Sequence, residues 1–254
     1  MFLFILLLIS INVYAVVRVE PARIIINAVN KNSRTGMIEV INKGEEEIEL
    51  TALLNDWSLD SEDSLIYYEE GQTKYTLNGL IKFNPKKFTL PPGGKQIVRF
   101  TISDPEEELP IERRGVIFFE QETEMIDAAT GSRIKNQIGS VIYYVPENLK
   151  YQFQFLGLRV YKNKESLPQG IELHVRNTGN AHLRYFISYK IVDSENKVVM
   201  EDEFEELVIL PEFKRVFSFY LLERLDPGKY TFIANFNLYN ISKDAEYQIP
   251  ITIE

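Results

Sequence analysis

The chain has 254 residues, with 28 Lys and Arg against 37 Asp and Glu, which gives a formal net charge of −9. This charge disfavours a nucleic-acid backbone or an anionic membrane surface as a partner, because like charges repel. The absence of cysteine excludes disulfides, thiolate zinc sites and cysteine nucleophiles. An apolar share of 45% with 16 Phe and 14 Tyr indicates a globular, β-rich protein long enough for two domains.

Residues 1–15 predict a signal peptide. An apolar run ends at Val13 and Ala15, whose spacing fits a cleavage site before Val16. The run has no basic residue at its start, and Ser10 and Asn12 interrupt it, so a retained membrane anchor is the alternative. Both interpretations place the remaining chain outside the cytoplasm.

Residues 16–148 predict a first domain that is all β. The opening strand is interrupted by Pro21, and proline inside a strand is typical of an edge or of a switch between sheets. Two further short strands follow at 37–41 and 48–53. The polar stretch 58–79 is typical of a long loop or a short edge strand.

The stretch 81–101 organises this domain. It contains a short strand at 88–90, the turn Pro91-Pro92-Gly93-Gly94, and a strand from Ile97 onward with two distinct faces. A strand, a Pro-Gly turn and a returning strand are the means by which a sandwich passes its chain between two sheets. We therefore expect the sheet switch here.

The rest of the first domain predicts a central strand at 115–120, a polar loop at 121–136 and a closing strand at 137–145, which Pro146 ends. Seven or more short strands with turn signals and no helical period are typical of an immunoglobulin-like β-sandwich.

Residues 149–254 predict a second immunoglobulin-like sandwich, because apolar residues alternate with period two over several segments. The alternating sets are Tyr151, Phe153 and Phe155; Ile171, Leu173 and Val175; Leu183, Tyr185, Ile187, Tyr189 and Ile191; Tyr230, Phe232, Ala234, Phe236 and Leu238; and Tyr247, Ile249, Ile251 and Ile253. The fold class is therefore all-β, with two consecutive sandwiches.

No phosphate-binding glycine loop, nucleophile elbow or paired-histidine zinc helix is present in the sequence. His174 and His182 flank one turn, where they could bind a metal, but surface or packed histidines are the commoner case. We therefore expect no enzyme activity, no cofactor and no metal site.

Several sequence segments of the first domain resemble the pilus-assembly (PapD-like) chaperones of the bacterial periplasm. The matching segments cover most of residues 16–148, and the block around the Pro-Gly turn is the most specific. They are Val19-Glu20-Pro21-Ala22-Arg23-Ile24, Asp56-Trp57, the run from Asn84 to Arg99, and Tyr143-Tyr144-Val145-Pro146.

The resemblance implies that the chain lends a strand to a secreted, β-rich subunit, pilin-like or from the envelope, whose own sandwich is incomplete. The lending strand would lie within residues 131–145. Ile134, Ile138 and Ile142 would insert into the partner, and Arg23 would bind its terminal carboxylate.

Two departures from the family pattern bear on this prediction. Val141 stands where the family has a second cation for the carboxylate, and polar residues such as Asn136 interrupt the donor stripe. Core packing of the isoleucines and an ordinary strand-end role for Arg23 are the alternatives. The alternative function is a cell-surface or extracellular structural or adhesion protein without chaperone activity.

Overall fold

The computed structural model describes residues 17–28, 34–60, 64–103, 111–126, 131, 133–147, 149–161, 170–221, 225–238 and 245–253. The predicted signal peptide therefore lies outside the described residues. The described part of the chain contains no helix of the length and hydrophobicity needed to cross a membrane.

The described residues form seventeen strands, which confirms the predicted all-β class. Their bounds are β1 Val17–Glu20, β2 Arg23–Asn27, β3 Thr35–Asn42, β4 Ile48–Leu59, β5 Leu65–Glu69, β6 Ile81–Asn84, β7 Lys87–Leu90, β8 Lys95–Ile102, β9 Arg113–Ile126, β10 Arg133–Val145, β11 Phe153–Tyr161, β12 Gly170–Asn177, β13 Leu183–Val192, β14 Val198–Ile209, β15 Lys214–Tyr220, β16 Gly228–Leu238 and β17 Ala245–Ile253.

The chain divides into two compact units. The first comprises the described residues of 17–56, 69–103 and 114–144, and the second those of 57–68, 111–113 and 145–253. Two short segments from the front half of the sequence, 57–68 and 111–113, group with the second unit. The domain boundary between residues 148 and 149 stays a prediction.

The front half forms a sandwich of two sheets, and its core lies between them. One sheet has the order β1-β3-β8-β6, and the other has the order β2-β10-β9-β4-β5, with β7 also paired to β4. Both sheets contribute fully buried side chains to one apolar cluster, for example Ile38 and Val98 from the first sheet, and Leu50, Ile117 and Ile142 from the second.

The chain changes sheet at Pro21 and at the turn 91–94, which the sequence singles out, and also at Pro85, which it does not. Pro21 separates β1 from β2, and Pro85 separates β6 from β7; in each case the two strands belong to different sheets. The turn at 91–94 then returns the chain from β7 to β8, as predicted. Gly93 adopts a φ of 70° in this turn, a conformation that glycine takes without steric cost.

The second half forms a second sandwich from a three-stranded sheet, β11-β12-β15, and a four-stranded sheet, β14-β13-β16-β17. The predicted alternating residues of β12, β13 and β16 fill its core, including Leu173, Tyr185, Ile187 and Phe232, which are fully buried. In this half, the alternation of apolar residues in the sequence therefore predicts correctly which side chains are buried.

Each sandwich is fixed at one corner by a fully buried asparagine. The side-chain amide of Asn42 donates to the carbonyls of Leu90 and Glu46 at 3.0 and 2.7 Å. The side-chain amide of Asn177 donates to the carbonyls of Ile209 and Ala181 at 3.0 and 2.7 Å. Each asparagine also accepts a hydrogen bond from the backbone amide of a glycine two residues on.

We predict that Asn42→Ala and Asn177→Ala each lower the free energy of unfolding by about 2–3 kcal/mol, because each leaves buried carbonyls without a donor. Urea denaturation measures this. Asn237→Ala, at an exposed position of β16, is the control and should change the value by less than about 0.5 kcal/mol. Equal values for all three variants would contradict the assignment.

The prediction of a polar loop over 121–136 is wrong at both ends. β9 continues to Ile126 and β10 already begins at Arg133, four residues before the predicted start at 137. The two strands continue to pair beyond the apolar core because polar side chains bridge them, as described below.

Candidate partner-binding strand

β10 changes character along its length. Lys135, Asn136 and Gln137 are exposed, Ile138 and Gly139 are half-buried, and the segment 142–145 is buried. The second half of the strand therefore belongs to the sandwich core. We refer to residues 133–139 as the leading half of β10.

The strand β2 covers β10 on one side only in part. The hydroxyl of Ser140 donates to the carbonyl of Pro21 at 2.7 Å, and the amide of Val141 donates to the carbonyl of Ala22 at 2.9 Å. β2 has five residues and β10 has thirteen, so β2 is too short to pair with the whole of β10.

A carboxylate on β9 bridges two residues of the leading half. The ammonium of Lys135 donates to one oxygen of Glu120 at 2.8 Å, and the amide of Gln137 donates to the other at 2.7 Å. The hydrogen bond from Lys135 lowers the pKa of Glu120, burial opposes that shift, and the bond from Gln137 adds to it. We call these three residues the Glu120 clamp.

The sequence does not single out Glu120, but a signal for it exists. Val116, Phe118 and Glu120 share one parity of β9, as Lys135 and Gln137 do on β10. An antiparallel pairing of β9 with β10 that continues beyond the apolar core brings these two sets to one face of the sheet. The polar composition of this segment conceals the pattern.

The three predicted isoleucines lie on the same parity of β10 but in different surroundings. Ile142 is fully buried in the front core, and Ile138 is half-buried against that core. The backbone of Ile134 lies in β10, and its side chain lies outside the described residues. A role of Ile142 in partner binding stays a prediction, and in this structure its side chain contributes to the core.

Arg23 lies at the start of β2, which neighbours β10. It opens β2 and is exposed, directly after Ala22, whose carbonyl accepts the amide of Val141. The position where the family has its second cation is therefore adjacent to Arg23 in space, and here it carries a valine. The anchoring role of Arg23 stays a prediction.

The two histidines have local partners. The Nδ1 of His182 hydrogen-bonds a carboxylate oxygen of Glu112, and its Nε2 accepts from the Nε of Arg184 at 3.3 Å. The Nε2 of His174 lies 3.4 Å from a carboxylate oxygen of Glu172. Among the residues that the structure describes, no three His, Asp or Glu side chains form a group suited to a metal ion.

Comparison with solved structures decides the fold. The class 5 fimbriae chaperone CfaA aligns with 93% of this chain and 98% of its own, with a TM-score of 0.50 and 14% identity. This chain has the fold of a fimbriae chaperone. A chain from a chaperone–tip adhesin complex of CFA/I fimbriae biogenesis gives the same TM-score and identity, over 94% of this chain and 98% of that one.

The predicted resemblance to pilus-assembly chaperones is thereby confirmed at the level of the fold, across both sandwiches. No protein-family model matches the sequence. No curated protein matches it either.

We predict that Glu120→Gln lowers the melting temperature at pH 7 and that the difference from the unmodified chain disappears in acid. Because the folded-state pKa of Glu120 is depressed, its stabilisation is present above its ordinary value of about 4.5 and is lost as pH falls through the folded value. The effect at pH 7 is about 1 kcal/mol at most, since Lys135 is largely exposed. Thermal unfolding from pH 7 to pH 3 measures it, and a constant difference over that range would contradict the prediction.

Proposed function

We propose that this protein is an exported chaperone that binds a secreted, β-rich subunit by lending it the leading half of β10. The observation that carries the proposal is that β10 extends beyond both its five-residue neighbour β2 and the apolar core. The shared fold with fimbriae chaperones supports it.

The backbone geometry provides the pairing surface. Successive residues of a strand point their amide and carbonyl groups to alternate sides. The amide of Val141 points toward Ala22, so those of Gly139 and Gln137 point to the same side of β10. Pro21 and Ala22 lie beside Ser140 and Val141 in the same order, which fits a β2 that runs along the buried end of β10 and leaves these two amides to an added strand. An edge of this kind is a template for an added strand.

Side chains on the leading half add apolar contact. Ile134 and Ile138 have the parity of the buried Ile142, and Ile138 is half-buried at the margin of the core. Inserting one aliphatic side chain into an apolar groove contributes about 1.5–3 kcal/mol. Two such residues, together with the backbone hydrogen bonds, are sufficient for a specific complex.

The remaining features fit the same function. Arg23 is exposed beside β10, where a guanidinium would pair with the terminal carboxylate of a subunit. The apolar residues 1–15 direct the chain out of the cytoplasm, to the compartment in which such subunits fold. The chain thereby covers the apolar groove of a subunit until assembly.

We predict that a secreted β-rich subunit co-purifies with this chain and that Ile138→Asp abolishes its binding, because a charge entering an apolar groove opposes insertion. The two proteins are co-expressed, and the complex is measured by affinity purification. Ile97→Asp is the matched control: Ile97 is 39% exposed on β8, which has a neighbour on both sides. Circular dichroism verifies the fold of both variants. Retention of the subunit by Ile138→Asp would exclude strand lending.

We predict that Gln137→Pro weakens the complex at least tenfold, because proline removes an amide that points toward the added strand. It also removes the side-chain hydrogen bond to Glu120, so Gln137→Ala is the reference, and the two variants should have the same stability but differ in affinity. Asn136→Pro removes an amide on the β9 side and should destabilise the chain itself. Titration calorimetry and thermal unfolding distinguish these effects. Equal loss of stability in the two proline variants would show that the amide of Gln137 is already paired within the chain.

A further inference from the structure

The leading half of β10 needs something other than apolar burial to stay extended. Three consecutive residues, Lys135, Asn136 and Gln137, are exposed, whereas the other half is held by the core. Strands with few buried contacts open locally at low free-energy cost. An open leading half would have to be ordered anew on each binding event.

We propose that Glu120 is a positioning residue that holds the leading half of β10 extended and in register for its partner. The expected effect of Glu120 on partner binding rests on the proposed function. The existence of the Glu120 clamp is tested without any partner.

The geometry suits this role because one carboxylate uses both oxygens on two residues of the neighbouring strand. Lys135 and Gln137 are two positions apart, so they lie on the same face of β10 and reach Glu120 from its two sides. A shift of β10 by one residue would bring Asn136 to this face and break both hydrogen bonds. The clamp therefore selects a single register.

The next position on that face cannot provide a side-chain contact of its own. Gly139 lies against Val116 and Phe118, whose side-chain atoms would be 2.6 and 2.9 Å from any added Cβ. Among the residues that precede Gly139 on this face of β10, Lys135 and Gln137 are the ones whose side chains the structure describes. Their contacts to Glu120 decide whether the leading half is held.

A second ion pair lies on the sheet that contains the Glu120 clamp. On β4, Thr51 lies opposite Glu120 and also opposite Lys87 of β7. The ammonium of Lys87 lies 2.6 Å from a carboxylate oxygen of Glu49, and both side chains are more than half exposed. This second ion pair lies on the same sheet but does not involve β10, so it provides a matched control.

Amide hydrogen exchange of the isolated protein tests the clamp. The amides of Asn136 and Ile138, and those of Ile142 and Tyr144, all have the parity that points toward β9. We expect Glu120→Ala to accelerate exchange at Asn136 and Ile138 about tenfold, the factor that losing about one hydrogen bond implies. Exchange at Ile142 and Tyr144 should change less than about twofold, because those residues are held by the core.

Two comparisons separate local positioning from general destabilisation. Glu49→Ala should leave all four amides unchanged. In the unmodified chain, exchange at Asn136 and Ile138, corrected for its intrinsic pH dependence, should accelerate as pH falls through the lowered pKa of Glu120, and Glu120→Gln should remove that dependence. Equal acceleration of all four amides by Glu120→Ala, or no acceleration, would overturn the proposal.

The binding arm uses the same co-expressed subunit as the Ile138→Asp experiment. We expect Glu120→Ala to lower its affinity about tenfold and Glu49→Ala to leave it unchanged. If Ile138→Asp loses the subunit but Glu120→Ala binds it with unchanged affinity, the positioning role is wrong. If Ile138→Asp does not lose the subunit, the proposed function fails, and the exchange result still decides whether the clamp holds the strand.

Discussion

The structure of the front sandwich depends on one constraint: backbone amides and carbonyls in a strand require hydrogen-bond partners on both sides. β10 has β9 along one side and the five-residue β2 on the other. A protein that avoided partners would shorten such a strand or cover it. Here the strand extends to thirteen residues instead, so the proposed function and the fold have the same physical origin.

The interactions that hold β10 in place change along its length. At Ile142 and Tyr144, the strand is held by a fully buried apolar face, and at Ser140 a hydroxyl attaches it to the carbonyl of Pro21. Toward the hairpin tip, the Glu120 clamp replaces both. Polar contacts suit this end because Lys135, Asn136 and Gln137 are exposed and the apolar core does not hold them.

The sequence predicts those parts of the fold in which hydrophobicity alternates. Tyr185 and Phe232 lie in the core because their stripes have period two, and Pro21 marks a sheet switch because proline cannot continue a ladder. The extended hairpin was missed because Glu120 and Lys135 are polar and fifteen residues apart in sequence. The isoleucines of β10 repeat regularly in the sequence, so their pattern does not show which of them is buried. The burial of Ile142 depends on how far β10 extends past the core.

The two buried asparagines also bear on how the chain folds. The hydrogen bond from Asn42 to Leu90 joins residues 48 positions apart, and the one from Asn177 to Ile209 joins residues 32 positions apart. Loop-closure entropy grows only with the logarithm of length, so these spans differ by about 0.4 kcal/mol in cost. The two asparagines therefore make their hydrogen bonds at nearly equal loop-closure cost, and each does so within its own half of the sequence.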